Sequence, residues 1–423
     1  MANWIKNFEQ LAVTKERKDA LEIIEAGLSA IDTKKAIHDN LKLDGDTLTI
    51  SGNKIDLKKY KSIKVIGFGK VSCIAAAALE EVLGNKIKEG VVIDINRGSC
   101  SIIQTYHGTH PRPSSQNVEA TKHIVELSRG ISADDLVLVI ISGGGSSLLC
   151  YPESECTDND RLYQDFLPTG APIHELNLVR KHLSLLKGGG LAKMFYPAKI
   201  VGLIFCDVPG NHSDLVASGP TFKDLSTASE ATAILDKYNI RDHYVLTETP
   251  KEDIFFENVT NVTLVSNELA LSAMKAKSEE LGYSTKIISS EIYDDTDAAI
   301  SRLQSETGAS VVLAGGEPSL IIKTPGGSGG RNQYLSLKAI KAIKENELII
   351  SLASDGIDNG PMAGAIADTL TKGMYVSVGL NVDEHISKYD AQTFFERVGA
   401  NIFTGQTGSN VSDLMLLLRK KES

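Results

Sequence analysis

The chain has 423 residues, 42% of them hydrophobic, and carries a formal net charge of −10 at pH 7. That length exceeds one ordinary core, so two domains are expected, and 36 glycines with a single tryptophan suit an α/β enzyme rather than a fibrous or disordered chain. The acidic balance argues against a nucleic-acid partner; the run MANWIKNFEQLAV has no apolar leader core and no later segment reaches membrane-spanning length, so a cytoplasmic protein with no membrane partner is expected.

Apolar residues at helical spacing over residues 15–41 predict a helical segment, and TLTISGNKIDL predicts a hairpin turning at Gly52–Asn53. SIKVIGFGKVSCIAAAALEEVL then reads as strand, glycine turn and helix, and GVVIDIN as the next strand, together a βαβ unit. Pro111 and Pro113 stiffen the loop HGTHPRPSS, after which QNVEATKHIVELSRG predicts a helix. LVLVIIS, residues 136–142, is a continuous apolar run of the kind buried on both faces of a parallel sheet. It stops at Ser142, and Gly143, Gly144, Gly145, Ser146 and Ser147 follow. Glycines there admit positive φ and the close approach of a ligand, while amides at a helix start can converge on an anion, phosphate above all. A tight turn with no ligand is the plainer alternative.

LNLVRKHLSLLKGGGLAKMF predicts a helix as far as Lys187, broken at Gly188, Gly189 and Gly190, and KIVGLIFCDVPGN predicts another strand ending in a polar loop. The charged stretch DKYNIRDHYVLTETPKEDIFFEN interrupts the pattern and separates an expected domain 1–243 from a domain 244–423. A second α/β unit is expected to begin with NVTLVSNELALSAMKAKSEELGYSTKIIS and to continue through ASVVLAGGEPSLII and ELIISLASDGIDNGPMAGAIAD.

In open parallel sheets, ligands bind where loops leave the C-terminal strand ends, and those loops carry the candidate residues here. Gly67 and Gly69 precede Lys70, whose ammonium could oppose phosphate charge. The same turn, with Asp94 ending the next strand, also admits a dinucleotide reading, although Ser72 stands where the third glycine belongs; Walker spacing fails at Lys64 and Val71. Asp207, Glu317, Asp355 and Asp358 offer carboxylates for a divalent cation or an acceptor hydroxyl, with turn-forming aspartates as the alternative. Arg331, in GGSGGRNQ, is suited to grip a carboxylate or phosphate. His107, His110, His182 and His212 lack zincin spacing and the five cysteines lack CxxC spacing, so both sets read as structural and no metal ligands are assigned.

The motifs GFGK, THPRPS, ISGGGSSLL, LNLVRKHLSLLKGGGLA, DVPGN, ASGPT, AGGEP, GGRNQ, SDGIDNGP and TGSNVSDL together resemble the glycerate 2-kinase family over nearly the whole chain. The resemblance implies a Rossmann-like, mostly parallel sheet in an N-terminal glycerate-kinase domain, a C-terminal α/β domain of the MOFRL type, and an active site in the cleft between them. It further implies ATP-dependent phosphorylation of D-glycerate at the 2-hydroxyl, giving 2-phosphoglycerate, with Mg2+ or another divalent cation, and it allows a homodimer. By position it puts Lys70, Asp207 and Arg331 in catalysis and the loop from Ser142 to Ser147 close to phosphate. In that arrangement Arg331 holds the glycerate carboxylate, Asp207 orients the attacking hydroxyl and Lys70 stabilises the transferring phosphoryl group. Gly67, Gly69, Gly189, Glu317 and Asp355 complete the nucleotide-side candidates. The chain departs from the family's GHPxPD at Ser114, from its DVxGD at Asn211, and carries Asn359 before an expected glycine. The rival reading, an NAD(P)H-dependent hydroxypyruvate reductase, leaves the later acidic and glycine loops without a task.

Overall fold

A computed structural model describes residues 4–241, 244–323 and 326–420; residue 243 of the expected boundary and residues 324–325 of the glycine-rich loop lie outside them. Two compact units emerge, and their division is not linear. The first gathers residues 33–206 and 212–264, the second residues 1–32, 207–211 and 265–423. The charged segment around Tyr244 stays inside the first unit.

After the helix Thr33–Asn40, the first unit continues with β1 (Leu41–Asp44), β2 (Thr47–Ile50) and β3 (Asn53–Asp56), an antiparallel meander whose last two strands turn at Ser51–Gly52, one residue before the expected Gly52–Asn53. Next come β4 (Ser62–Phe68), β5 (Ile87–Asp94), β6 (Ile103–His107), β7 (Asp135–Ser142), β8 (Lys199–Phe205) and β9 (Val259–Val265), which form one sheet in the order β6-β5-β4-β7-β8-β9. The pairs from β6 to β8 are parallel. Strands β4 and β7 are buried along their whole length, as their unbroken apolar runs require of central parallel strands. From β4 the chain winds outward through β5 and β6, then returns to β7 on the other side of β4, so the topology reverses between β4 and β7. Phe68 lies opposite Ile141 in register, and the glycine turns after both strands therefore leave the sheet at the same end. A reversal of this kind is where open α/β sheets leave a crevice for ligands.

Two expectations change. NVTLV, read as the opening of the second unit, supplies β9 at the edge of this first sheet, because a short apolar run says strand without saying which sheet. The helix expected to reach Lys187 runs only from Ile173 to His182. Beyond it the Ser184 hydroxyl accepts from the N–H groups of Leu186 and Lys187, folding the chain into a turn, and Lys187 is drawn inward to the buried Glu155.

In the second unit, β10 (Thr285–Ile292), β11 (Val311–Gly316), β12 (Glu347–Ala353), β13 (Gly364–Ala367), β14 (Asn401–Ile402) and β15 (Asp413–Arg419) form a sheet in the order β10-β11-β15-β12-β13-β14. Only β10 and β11 pair in parallel; the final strand β15 inserts antiparallel between β11 and β12. Its run DLMLLLR is buried at every residue but Arg419, which suits a central strand. Leu335, Ile340, Phe394, Phe395 and Leu417 fill the core on one face. The helix Lys15–Ala30 belongs to this unit. Its Arg17 is 1% exposed and donates to both carboxylate oxygens of Asp368, at 2.7 and 2.8 Å, and to the Thr371 hydroxyl at 2.8 Å. Among the described residues no helix is long and apolar enough to cross a membrane.

Candidate active site

In the first unit the turns after β4 and β7 lock together. Gly69 takes φ +125°, and a Cβ there would lie 2.0 Å from the Ser142 hydroxyl, so only glycine fits. The Lys70 N–H donates to the Gly143 carbonyl at 2.9 Å, joining the lysine loop to the triple-glycine loop. Gly144, at φ +81°, opens the short helix Gly145–Leu148, whose first amides have no partner inside the helix. The loop is braced from behind: the Ser147 hydroxyl donates to the Pro111 carbonyl at 2.6 Å, and the Asn117 amide donates to the carbonyls of Ser147 and Thr109 at 2.8 and 2.9 Å. Ser146 shares a hydrogen bond with the Ser218 hydroxyl at 2.9 Å. The Lys70 stem and the His110 ring flank Gly144, within 3.2 Å of where its Cβ would stand. Partial burial, and then the Lys70 charge, push the His110 imidazole down to about 4, so this ring is neutral at pH 7.

Asp94 is 1% exposed and accepts from the N–H groups of Cys73 and Asn96 at 3.0 and 2.9 Å. It therefore holds the start of the helix Ser72–Leu83 instead of presenting oxygens to a ribose, which removes the main support for the dinucleotide reading. Gly67 packs inside β4 against Val92 and Ile140, and Gly189 donates to the Gly219 carbonyl with Phe256 over its α-carbon. Packing alone accounts for both glycines. His182 is buried and bonded to the Thr247 carbonyl and the Ser226 hydroxyl, as a structural histidine should be.

The second unit holds a cavity of 630 Å³ lined by Glu317, Arg331, Asp355, Asp358, Ser412 and Asp413 among others. Arg331 opens the helix Arg331–Ala342; its Nε donates to Asp413 at 2.5 Å and its terminal nitrogens approach Glu317 at 3.3 to 3.4 Å. Asp413 is 2% exposed, and burial pushes its carboxyl up to about 7 against the opposing pull of Arg331. Asp358 accepts from the amides of Asn332 and Gln333 at 3.1 and 2.8 Å, so it caps this helix. Asp355 accepts from the Ile357 N–H at 3.0 Å in a local turn and still lines the cavity. The Asp207 carbonyl receives the Ser412 hydroxyl at 2.6 Å, which ties the Asp207 backbone to the residue that precedes Asp413.

The sequence-predicted residues thus fall into two groups. Gly69, Lys70 and the loop from Ser142 to Ser147 meet in the first unit; Glu317, Arg331 and Asp355 line one cavity in the second, to which Asp207 also belongs. Asp413 is absent from the sequence-predicted candidates, although an aspartate at the head of a wholly apolar strand is a signal, since such an acid is buried only with a partner. Among the described residues no group of three or more His, Cys, Asp or Glu side chains is arranged to hold a metal ion.

Residues 19–248 match the model described as a domain of unknown function, DUF4147, and residues 310–413 match the MOFRL family. A protein of Pyrococcus horikoshii named glycerate 2-kinase is 31% identical, the alignment covering 95% of this chain and 97% of that one. An Agrobacterium vitis protein with a provisional hydroxypyruvate reductase name is also 31% identical, over 95% of this chain and 99% of its own. The crystal structure of a glycerate kinase from Thermotoga maritima superposes with a TM-score of 0.82 at 29% identity, covering 95% of this chain and 99% of that one.

Proposed function

This chain belongs to the glycerate 2-kinase family, and from that premise we infer that it transfers the γ-phosphoryl group of ATP to the 2-hydroxyl of D-glycerate, giving 2-phosphoglycerate and ADP. The observation that carries the reading is the interlocked turn at the reversal between β4 and β7, where Lys70 and the amides of the triple-glycine loop share one end of the sheet. Phosphoryl transfer asks chiefly for positioning and charge stabilisation, and this turn offers both a cation and helix-start amides.

In this reading the 2-hydroxyl oxygen attacks the γ-phosphorus, the bond to the β,γ-bridging oxygen breaks, and the leaving ADP keeps that electron pair. The hydroxyl proton passes to Asp207. Lys70 offsets charge on the transferring group. Arg331, its guanidinium held by Asp413 and Glu317, acts as a fixed cation instead of a swinging one. A divalent cation, when bound, would offset charge on the nucleotide phosphates, and Glu317 and Asp355, which line the cavity of the second unit, would be its protein ligands.

The test is to incubate the protein with D-glycerate, ATP and Mg2+ and identify the product by phosphorus NMR. The expected product is 2-phosphoglycerate with stoichiometric ADP. Formation of 3-phosphoglycerate overturns the regiochemistry, and oxidation of NADH by hydroxypyruvate in a parallel reaction, without phosphoryl transfer, overturns the kinase reading.

A further inference from the structure

A second hollow, of 130 Å³, lies in the first unit between the Pro111–Pro113 segment, the Ser146–Ser147 turn and a wall made by Asn159, Asp160, Tyr163 and Arg180. Arg180 is unlike most arginines of this chain. Its Nε donates to the Asn159 side-chain oxygen at 3.3 Å and one terminal nitrogen to the Asn177 side-chain oxygen at 3.0 Å. Both partners are neutral, and among the described residues no carboxylate stands within ion-pair distance of its guanidinium. A guanidinium has five N–H donors, so two bonds leave most of its capacity open toward the hollow it lines.

The charge balance behind the hollow points the same way. Glu155, the acid whose field acts on Arg180, is fully buried and already paired with Lys187; it also accepts from the Tyr151 N–H at 2.8 Å and from the Asn159 amide at 3.1 Å. Lys187 in turn donates to the Leu149 carbonyl at 2.7 Å. One carboxylate thus faces two cations, and the surplus positive charge sits at Arg180. At the rim, Arg112 is engaged with Asp160 at 3.4 Å and lies over the Tyr163 ring, so its charge is offset. Leaving a half-buried cation without a counter-charge is unfavourable, and an anionic guest would remove the penalty.

The hydroxyls narrow the guest. Ser147 donates its proton to Pro111 and has none for a ligand. Ser146 faces another hydroxyl, Ser218, and can accept from it while donating its own proton into the hollow. The volume is about that of four water molecules in the liquid, room for a carboxylate on a two- or three-carbon acid and too little for a nucleoside.

We propose that Arg180, with Ser146 as second donor and Asn159 as its brace, is the oxyanion subsite that takes the carboxylate of D-glycerate, the task that the family resemblance gives to Arg331. The proposal rests on the kinase reading above and assigns the carboxylate that flanks the carbon bearing the attacking hydroxyl. The same donors would also suit a terminal phosphate of ATP, and kinetics separate the two. In Arg180→Gln the KM for D-glycerate should rise roughly 10- to 100-fold, the scale of losing a charge-assisted pair, while the KM for ATP stays within about twofold; Arg180→Lys should recover part of the loss. A rise confined to the KM for ATP overturns the assignment in favour of the nucleotide, and unchanged constants overturn it outright. Should the variant not fold, the wild-type protein decides: without nucleotide, D-glycerate should raise its melting temperature and uncharged glycerol should not. Equal protection by glycerol, or stronger protection by inorganic phosphate than by glycerate, overturns the carboxylate assignment. If the wild-type protein makes no phosphoglycerate yet calorimetry shows glycerate binding that Arg180→Gln abolishes, the kinase reading fails and the subsite stands.

Discussion

Lys70 is only partly buried, and its backbone, not its side chain, ties the two glycine turns together. Lys70→Ala should therefore leave the melting temperature unchanged while turnover falls about 10²-fold or more, the scale of removing one preorganised charge from a transition state; a near wild-type rate would make Lys70 an ordinary surface lysine. Asp207→Asn keeps shape and loses the basic oxygen, so its turnover should fall about as far, and a Mg2+ titration of the residual rate separates a proton acceptor from a metal ligand, because full rescue at high Mg2+ indicates the ligand. His110 supplies a pH signature. Its folded value is depressed from the ordinary 6.5 to about 4, so between those limits the unfolded chain binds a proton that the folded one refuses. Stability contributed by neutral His110 is present above pH 6.5 and lost as pH falls toward 4, and melting curves of the wild type should drop more over that window than those of His110→Asn. The turn residues were legible because glycine tolerates the positive φ that a tight strand-end turn imposes, and a lysine beside it is too costly to bury without an anion. Asp413 was less so: its place at the head of an apolar strand marks an acid that needs a partner, but that partner, Arg331, lies 82 residues earlier.

At the level of elements, alternation of apolar runs and helical spacing located β4, β5, β7 and β8 and the helices between them, because strands buried on both faces tolerate almost nothing but apolar residues. Pairing was less legible. The apolar run of β15 identifies a buried strand, but its place between β11 and β12 depends on contacts with strands about a hundred and about sixty residues earlier. The early end of the helix at His182 has a physical cause in the Glu155–Lys187 pair, both of whose side chains are 0% exposed. Lys187→Met should destabilise the protein by roughly 3–5 kcal/mol, since Glu155 is left charged and buried without its partner, and adding Glu155→Leu should restore much of that. Urea unfolding of the single and double variants measures both; an additive double variant would deny the coupling.

Across the whole molecule, the second unit is built from the two ends of the chain, with the first unit occupying most of the sequence between them. No periodicity could reveal that, because the helix Lys15–Ala30 reads the same whichever core it covers. Its anchor is testable: Arg17→Met leaves Asp368 buried without its cation and should cost about 3–5 kcal/mol, with hydrogen exchange quickening first in the helix Thr369–Ser377; unchanged exchange there would show the anchor to be idle. The arrangement also bears on synthesis. Arg17 and Asp368 are 351 residues apart, and a ribosome adding about 5–20 residues per second needs roughly 20–70 s to cover that distance. For most of that time, until its main neighbour the helix Asn267–Glu280 follows about 250 residues later, the apolar face of the helix Lys15–Ala30, with Leu21, Ile24 and Leu28 on it, has none of its main eventual partners translated. The nascent chain should consequently be a client for holding chaperones that cradle its first helix, and slowing translation late in the message should lengthen that dependence.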